Sequence, residues 1–179
     1  MENQDSMIRL KLIRCAIACI DEKGLHNFSI RELGKRARMT STPIYNRFTN
    51  KQEIISIVYN LITNSFIKKI DSYKDLPTDE QLIQVVALYL REINKHPNIA
   101  ELIFLNPEKV ESDGPSAQTV FKEKVNSLIE ELNHKHSEEF FLKIWSQIHG
   151  TAMMIKNGII SYNYDEIYKS MITTIKEAA

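Results

Sequence analysis

Five cations, Lys35, Arg36, Arg38, Arg47 and Lys51, fall between Leu33 and Gln52 with no acid among them. Such a run attracts polyanions, and a phosphate backbone is its natural partner. Among them stand three short hydroxyl side chains, Thr40, Ser41 and Thr42, which both donate and accept hydrogen bonds and so can address base edges. Pro43 adds an apolar surface of the kind that meets a thymine methyl. The stretch from 29 to 53, SIRELGKRARMTSTPIYNRFTNKQE, reads as two short helices separated by a turn and followed by a third, capped helix. Those are the dimensions of a helix-turn-helix, which lays its second helix in the major groove of DNA.

A groove-reading helix works only if the chain around it holds it, and local signals show how. Ser29 stands at a helix start with Glu32 three residues on as capping-box partner, while Phe28 and Leu33 are spaced as a hydrophobic staple. Gly34 costs that helix ~1 kcal/mol relative to alanine, so its use is to let the next helix approach closely. Asn50 and Glu53 form a second capping box, opening a long helix that carries Ile54, Val58, Leu61, Ile62 and Phe66 and ends near Ile70. Upstream, Ile8, Leu12, Cys15, Ala16, Cys19 and Ile20 make one helical stripe that Gly24 closes.

The net charge of zero hides an asymmetry. Residues 1 to 51 hold ten Lys/Arg against five Asp/Glu, and the remainder holds thirteen against eighteen. One part is built to approach a polyanion and the other is not, which argues for separate tasks. Charge alone would fit a solvated face equally well. Cys15 and Cys19 lie one helical turn apart, where a disulfide would be strained and where two ligands are too few for zinc, so they read as small core residues in a reduced compartment. The longest apolar runs, CAIACI and VVALYL, are far shorter than the ~20 residues of a membrane span. MENQDSM lacks the basic flank and apolar run of a secretory signal. A cytoplasmic location is expected.

Helical spacing recurs to the end of the chain and nothing reads as a strand. DSYKDLPTDE, with Pro77, is a polar connection. Thr78 with Gln81 caps a helix carrying Leu82, Val85, Val86, Tyr89, Leu90 and Ile93 that must end before Pro97. A short sixth helix carries Ile99, Leu102, Ile103 and Leu105, and NPEKVESDGPSA, with its Gly114-Pro115 turn signal, is expected to be mobile. A seventh helix spans about 116 to 133. An eighth begins after Ser137 and carries Phe140, Phe141, Ile144, Trp145, Ile148, Ala152 and Ile155 before Gly158. Asn163 and Glu166 cap a ninth with Ile167, Met171, Ile175 and Ala178 on one side. The expected fold is all-α with about nine helices, a helix-turn-helix domain over 1–52 and a second helical domain over 53–179.

With a helix ending at Gly24, then SIRELGKRA, a turn, IYNRF and NKQEI, residues 9 to 56 resemble the DNA-binding domain of the TetR family of bacterial transcriptional regulators. Gly24, Ser29, the Ile44-Tyr45 pair, Phe48 and Lys51 stand at the family's spacing. WSQIHGTAMMIKNG, 145 to 158, looks like the tryptophan and histidine-glycine pattern of one branch of its carboxy-terminal domains. The resemblance implies that Tyr45 and Lys51 clamp phosphates and that Ser29, with the free amides of its helix start, holds another. Arg31 matches a position that reaches a base edge in some members, and a further phosphate contact is the equal alternative. Thr40, Ser41, Thr42 and Pro43 fall at the groove-entering end of the recognition helix; Asn46 and Arg47 lie on the same exposed segment, with Ile44 and Phe48 facing inward. Two residues depart from the pattern. Arg38 occupies the turn position where the family usually has glycine, and Pro43 disfavours helix at Thr42, so local rules start the helix at Pro43 and the family pattern near Thr40.

For the second domain the resemblance implies a ligand pocket and a dimer interface. Phe66, Tyr89, Phe104, Phe121, Phe141, Trp145, His149 and Met153 are the candidates to line a cavity, though aromatics at helical spacing fit plain core as well. The eighth and ninth helices would pair with their mates in a homodimer, matching a palindromic operator. The implied function is a repressor released from DNA by a small-molecule effector, with no cofactor and no metal. A ligand-independent architectural DNA-binding protein is the alternative, favoured by a solid core where a large apolar cavity would favour the sensor. A helical enzyme is the remaining rival. The chain shows no GxSxG, phosphate loop or HExxH, and the histidines of HKHSEE, 134 to 139, stand two apart, where helical side chains do not face one another.

Overall fold

The computed structural model describes residues 2–105, 110, 114–132 and 137–178. Most of NPEKVESDGPSA and the histidines of HKHSEE lie outside the described residues. Within them the chain is all helical, as expected, with α1 Glu2–Lys23, α2 Ile30–Ala37, α3 Ser41–Tyr45, α4 Lys51–Asp71, α5 Thr78–Lys95, α6 Pro97–Ala100, α7 Ala117–Glu131, α8 Ser137–Lys156 and α9 Tyr164–Ala178. A 3-10 turn, Leu25–Asn27, follows α1, and a π-helical turn, Glu101–Leu105, continues α6. Among the described residues no helix is long and apolar enough to cross a membrane.

The chain forms two compact units, one from Met1–Ser65 with Asn98–Ser116 and one from Phe66–Pro97 with Ala117–Ala179. In the first, α1 packs on α2, and Leu12, Ala16, Ile20, Leu33, Ile44 and Ile54 have no exposed surface. Gly24 ends α1 with φ +76°, a conformation that glycine takes without steric cost. The cysteines are free, Cys19 buried and Cys15 half-buried.

The predicted caps form, with a difference in where their acids turn. Ser29 Oγ accepts the Glu32 N–H at 3.2 Å, while the Glu32 carboxylate pairs with Lys23 and with Lys35, the latter at 3.0 Å. Asn50 Oδ1 accepts the Glu53 N–H at 2.9 Å, and Glu53 reaches past Asn50 to the Thr49 N–H at 2.6 Å. Each acid serves a donor outside the expected box.

Gly34 is the point of close approach. A Cβ there would stand 2.7 Å from the Met39 carbonyl oxygen and 3.7 Å from Ile44 Cδ1. The nearest obstacle is backbone in the turn. Gly34→Ala therefore gains ~1 kcal/mol of helix propensity and loses more to overpacking, for a net destabilisation of roughly 1–2 kcal/mol. Chemical denaturation measures it, and a stabilised variant would contradict the packing.

In the second unit α5 is central, with α7, α8 and α9 all packed against it. Its buried residues include Leu82, Ile83, Val85, Ala87, Leu88 and Tyr89, so it is apolar on nearly every side. Its start differs from the expected cap. Pro77 is the capping residue and Thr78 is already helical, while Gln81 turns its amide to the Lys74 and Leu76 carbonyls at 3.2 and 2.8 Å. On α4, Leu61 is 48% exposed, because Ile55, Tyr59 and Thr63 complete a buried stripe on the opposite side. The α9 cap holds, Asn163 Oδ1 accepting the Asp165 N–H at 3.1 Å.

Candidate nucleic-acid interface

α3 begins at Ser41 with Thr40 as its extended cap, the start that the resemblance implies. Pro43 falls in the first turn, where backbone N–H groups have no partner within the helix, so its missing donor costs nothing there. Arg38 ends α2 with φ 57° and ψ 48°, the left-handed conformation, and its N–H reaches the Lys35 carbonyl at 3.3 Å. A non-glycine residue thus makes the turn without shifting it. Left-handed backbone costs an ordinary residue ~1–2 kcal/mol, against ~0.5–1 kcal/mol of chain entropy for glycine. Arg38→Gly is therefore expected to raise the melting temperature slightly while weakening DNA binding, and a fall in both would deny the strain.

Arg31, Arg38, Thr40, Ser41, Thr42, Tyr45, Asn46 and Lys51 are all exposed, and Ser29 and Pro43 are half-buried. Ile44 and Phe48 are buried, facing inward as expected. Tyr45 is 55% exposed. Lys51 Nζ lies 5.7 Å from the Phe28 ring centroid, a cation–π contact that leaves its charge at the surface.

The other cations of the basic run are paired. Lys35 binds Glu32 at 3.0 Å, and Arg36 grips both oxygens of Glu22 at 2.6 Å. The bond from Lys23, with that from Lys35, holds the Glu32 carboxyl down at about 2, and Arg36 holds the Glu22 carboxyl below its ordinary range, so both stay ionised at neutral pH. Arg47 is placed apart from the expected exposed segment. Its side chain is 15% exposed, Nη1 donates to the Pro43 carbonyl at 2.8 Å and Nη2 pairs with Asp5. The acids responsible, Asp5 and Glu22, come from α1, far from the run in sequence. Arg9, which sequence reasoning passed over, donates to the Arg47 carbonyl at 2.6 Å and to Glu53 at 3.2 Å, with its guanidinium 4.6 Å from the Phe48 ring centroid. No local signal marks a residue whose partners lie 38 and 44 positions away.

In the second unit the pocket candidates assemble into one aromatic cluster. Tyr89 stacks on Phe121 with ring centroids 4.5 Å apart, Phe66 and Trp145 flank Phe121 at 6.4 and 5.6 Å, and Phe141 stacks on Trp145 at 5.4 Å. His149 meets the Trp145 ring edge-on at 4.6 Å, and its Nδ1 lies 3.3 Å from the Tyr89 hydroxyl. Phe66, Tyr89 and Phe121 are buried; Phe141, Trp145, His149 and Met153 recur every fourth residue on α8 and are half-buried. Phe104, also buried, belongs to the first unit. A separate cavity of about 170 Å³ lies among α5, α8 and α9, lined by residues that include Val86, Gln147, Thr151, Glu166 and Met171. None of the aromatic candidates lines it, and its walls carry no sequence signal beyond ordinary helix periodicity.

Burial pulls the His149 pKa below 6.5 and pushes the Tyr89 phenol up, so both are neutral at pH 7. With the folded pKa of His149 depressed, the unfolded chain binds more protons as pH falls past about 6.5, so stability declines through that range and levels off below the folded value. His149→Gln is expected to flatten that part of a melting-temperature profile between about pH 5 and 8; an unchanged slope would show that His149 is not its source.

Residues 12–56 match the model of the bacterial regulatory proteins of the tetR family. The chain is similar in fold to a TetR-like transcriptional regulator from Rhodococcus sp. RHA1, at 14% identity and a TM-score of 0.69, covering 94% of this chain and 93% of that one. A TetR family transcription regulator from Marinobacter aquaeolei VT8 aligns at 14% identity and a TM-score of 0.64, covering 98% and 97%. RolR, solved in complex with the ligand resorcinol, aligns at 14% identity and a TM-score of 0.55, covering 100% and 91%. No curated protein matches the chain in sequence. Residues 12–56 thus match the tetR-family model, and the chain has the fold of these TetR-type regulators.

Proposed function

We propose that this chain is a non-enzymatic, cytoplasmic repressor that binds a palindromic operator as a homodimer and releases it when a small molecule binds. The observation that carries this function is the group of exposed cations around the helix-turn-helix, Arg31, Arg38 and Lys51, which have no ion-pair partner among the described residues, beside the hydroxyls of Thr40, Ser41 and Thr42. Tyr45, Lys51, Arg38 and the Ser29 helix start are assigned to phosphates, Thr40 to Pro43 with Asn46 to base edges, and Arg31 to either. Residues 1–52 form the DNA-binding part and 53–179 the part that senses and pairs. Pairing through α8 and α9 is supported by the exposed apolar side chains Leu142, Met154, Ile159, Ile160 and Tyr164 on these helices and their connection. Sensing is supported by the half-buried aromatic edge of α8 and by RolR, a structural relative whose bound ligand is a small phenol.

Selection of duplexes from a random pool, followed by titration in the presence of candidate metabolites, tests this function. A palindromic consensus bound by two chains, and a compound that weakens that binding while raising the melting temperature, are expected. Binding of two chains that no compound alters would favour the ligand-independent architectural alternative.

A further inference from the structure

Arg9 and Arg47 bring two guanidinium groups to the corner between α3 and α4, where two carboxylates, Asp5 and Glu53, balance them. Arg9 is fixed there by Glu53, by the Arg47 carbonyl and by the Phe48 ring. Arg47 is held less completely. Its Nη groups are bound to Pro43 and Asp5, yet its Nε is buried with no hydrogen-bond partner among the described residues. A desolvated guanidinium beside a second one stays folded in only while its counter-charge is present. Asp5, itself 61% exposed, supplies that charge from the first turns of α1.

We propose that Asp5 limits the sequence-independent affinity of the chain for DNA: it masks Arg47, keeping a cation adjacent to the recognition helix from adding attraction to phosphates. The inference rests on the DNA-binding function proposed above. With Asp5 neutralised, two guanidinium groups share one carboxylate, and Arg47 is the one free to swing into solvent beside Tyr45 and Asn46. An additional phosphate contact strengthens binding to every sequence equally, so affinities for random DNA and for the operator rise together and their ratio is unchanged. Masking of this kind lets a basic run keep its packing contacts without holding the protein on irrelevant DNA.

The test uses the full chain and a random-sequence duplex titrated over a range of potassium chloride. Asp5→Asn is expected to raise random-sequence affinity roughly 10- to 50-fold at moderate salt and to steepen the log–log salt slope by about 2 for a bound dimer. Arg47→Met alone is expected to leave that slope unchanged, and Asp5→Asn added to it should then have no effect. A slope unmoved by Asp5→Asn overturns the proposal, as does one that Arg47→Met lowers, since Arg47 would already be touching phosphate. So does an Asp5→Asn effect that survives Arg47→Met, which assigns it to a diffuse field. A wild-type chain that binds no duplex at all would overturn the DNA-binding function, and the inference with it.

Discussion

Tyr45→Ala combined with Lys51→Ala is expected to weaken operator binding by roughly 10³-fold and to lower the salt slope by about 2 for a dimer. Lys51 stands at the start of α4 over the Phe28 ring, with no ion-pair partner among the described residues, and Tyr45 is exposed on α3. Each lost cation removes counterion release at two positions of the dimer, and each lost phenol removes a hydrogen bond to a charged group. The loss should be the same on operator and random DNA, because phosphates carry no sequence. Lys35→Ala and Arg36→Ala supply the contrast. Their charges are already satisfied by Glu32 and Glu22, so their slopes should change little. Equal losses in the double variant and in these two would mean that the internal pairs open on binding.

Phe121→Ala is expected to destabilise the protein by about 3–5 kcal/mol. The ring is 1% exposed and meets Phe66, Tyr89 and Trp145, so truncation removes three ring contacts at once and leaves an apolar void. Such voids stay dry and take up small aromatic molecules. The variant should therefore regain part of its melting temperature in the presence of benzene-like solutes, a rescue that a merely misfolded chain would not show. Leu61→Ala, on an exposed face of α4, should stay within about 0.5 kcal/mol of the parent.

What could be read from the chain alone was what one or two helical turns decide. Ser29, Asn50 and Asn163 mark their helix starts because a cap bonds an N–H two or three residues away. The α3 start was different, since Pro43 argued against it and only the resemblance placed it near Thr40. Failures came where a side chain had a choice of partners. Gln81 took the carbonyls of the preceding connection in place of a cap, and Glu32 took two lysines. Leu61 fitted an i, i+3 pattern and still faced out, because Ile55 and Tyr59 set the buried stripe. The basic run looked unopposed for the same reason. Asp5 and Glu22 are near it only once α1 has folded alongside.

The proline in the first turn of α3 has one more consequence. With no N–H at Pro43, the end of the helix assigned to the groove has one fewer backbone donor, and recognition there falls to the hydroxyls of Thr40, Ser41 and Thr42. A hydroxyl rotates to donate or accept as its neighbour requires, so it discriminates less between bases than a bidentate guanidinium or amide does. The operator consensus should accordingly be degenerate at the base pairs these residues face and sharp where Arg31 or Asn46 reaches, a pattern of tolerance along the site that a selected pool of sequences would display directly.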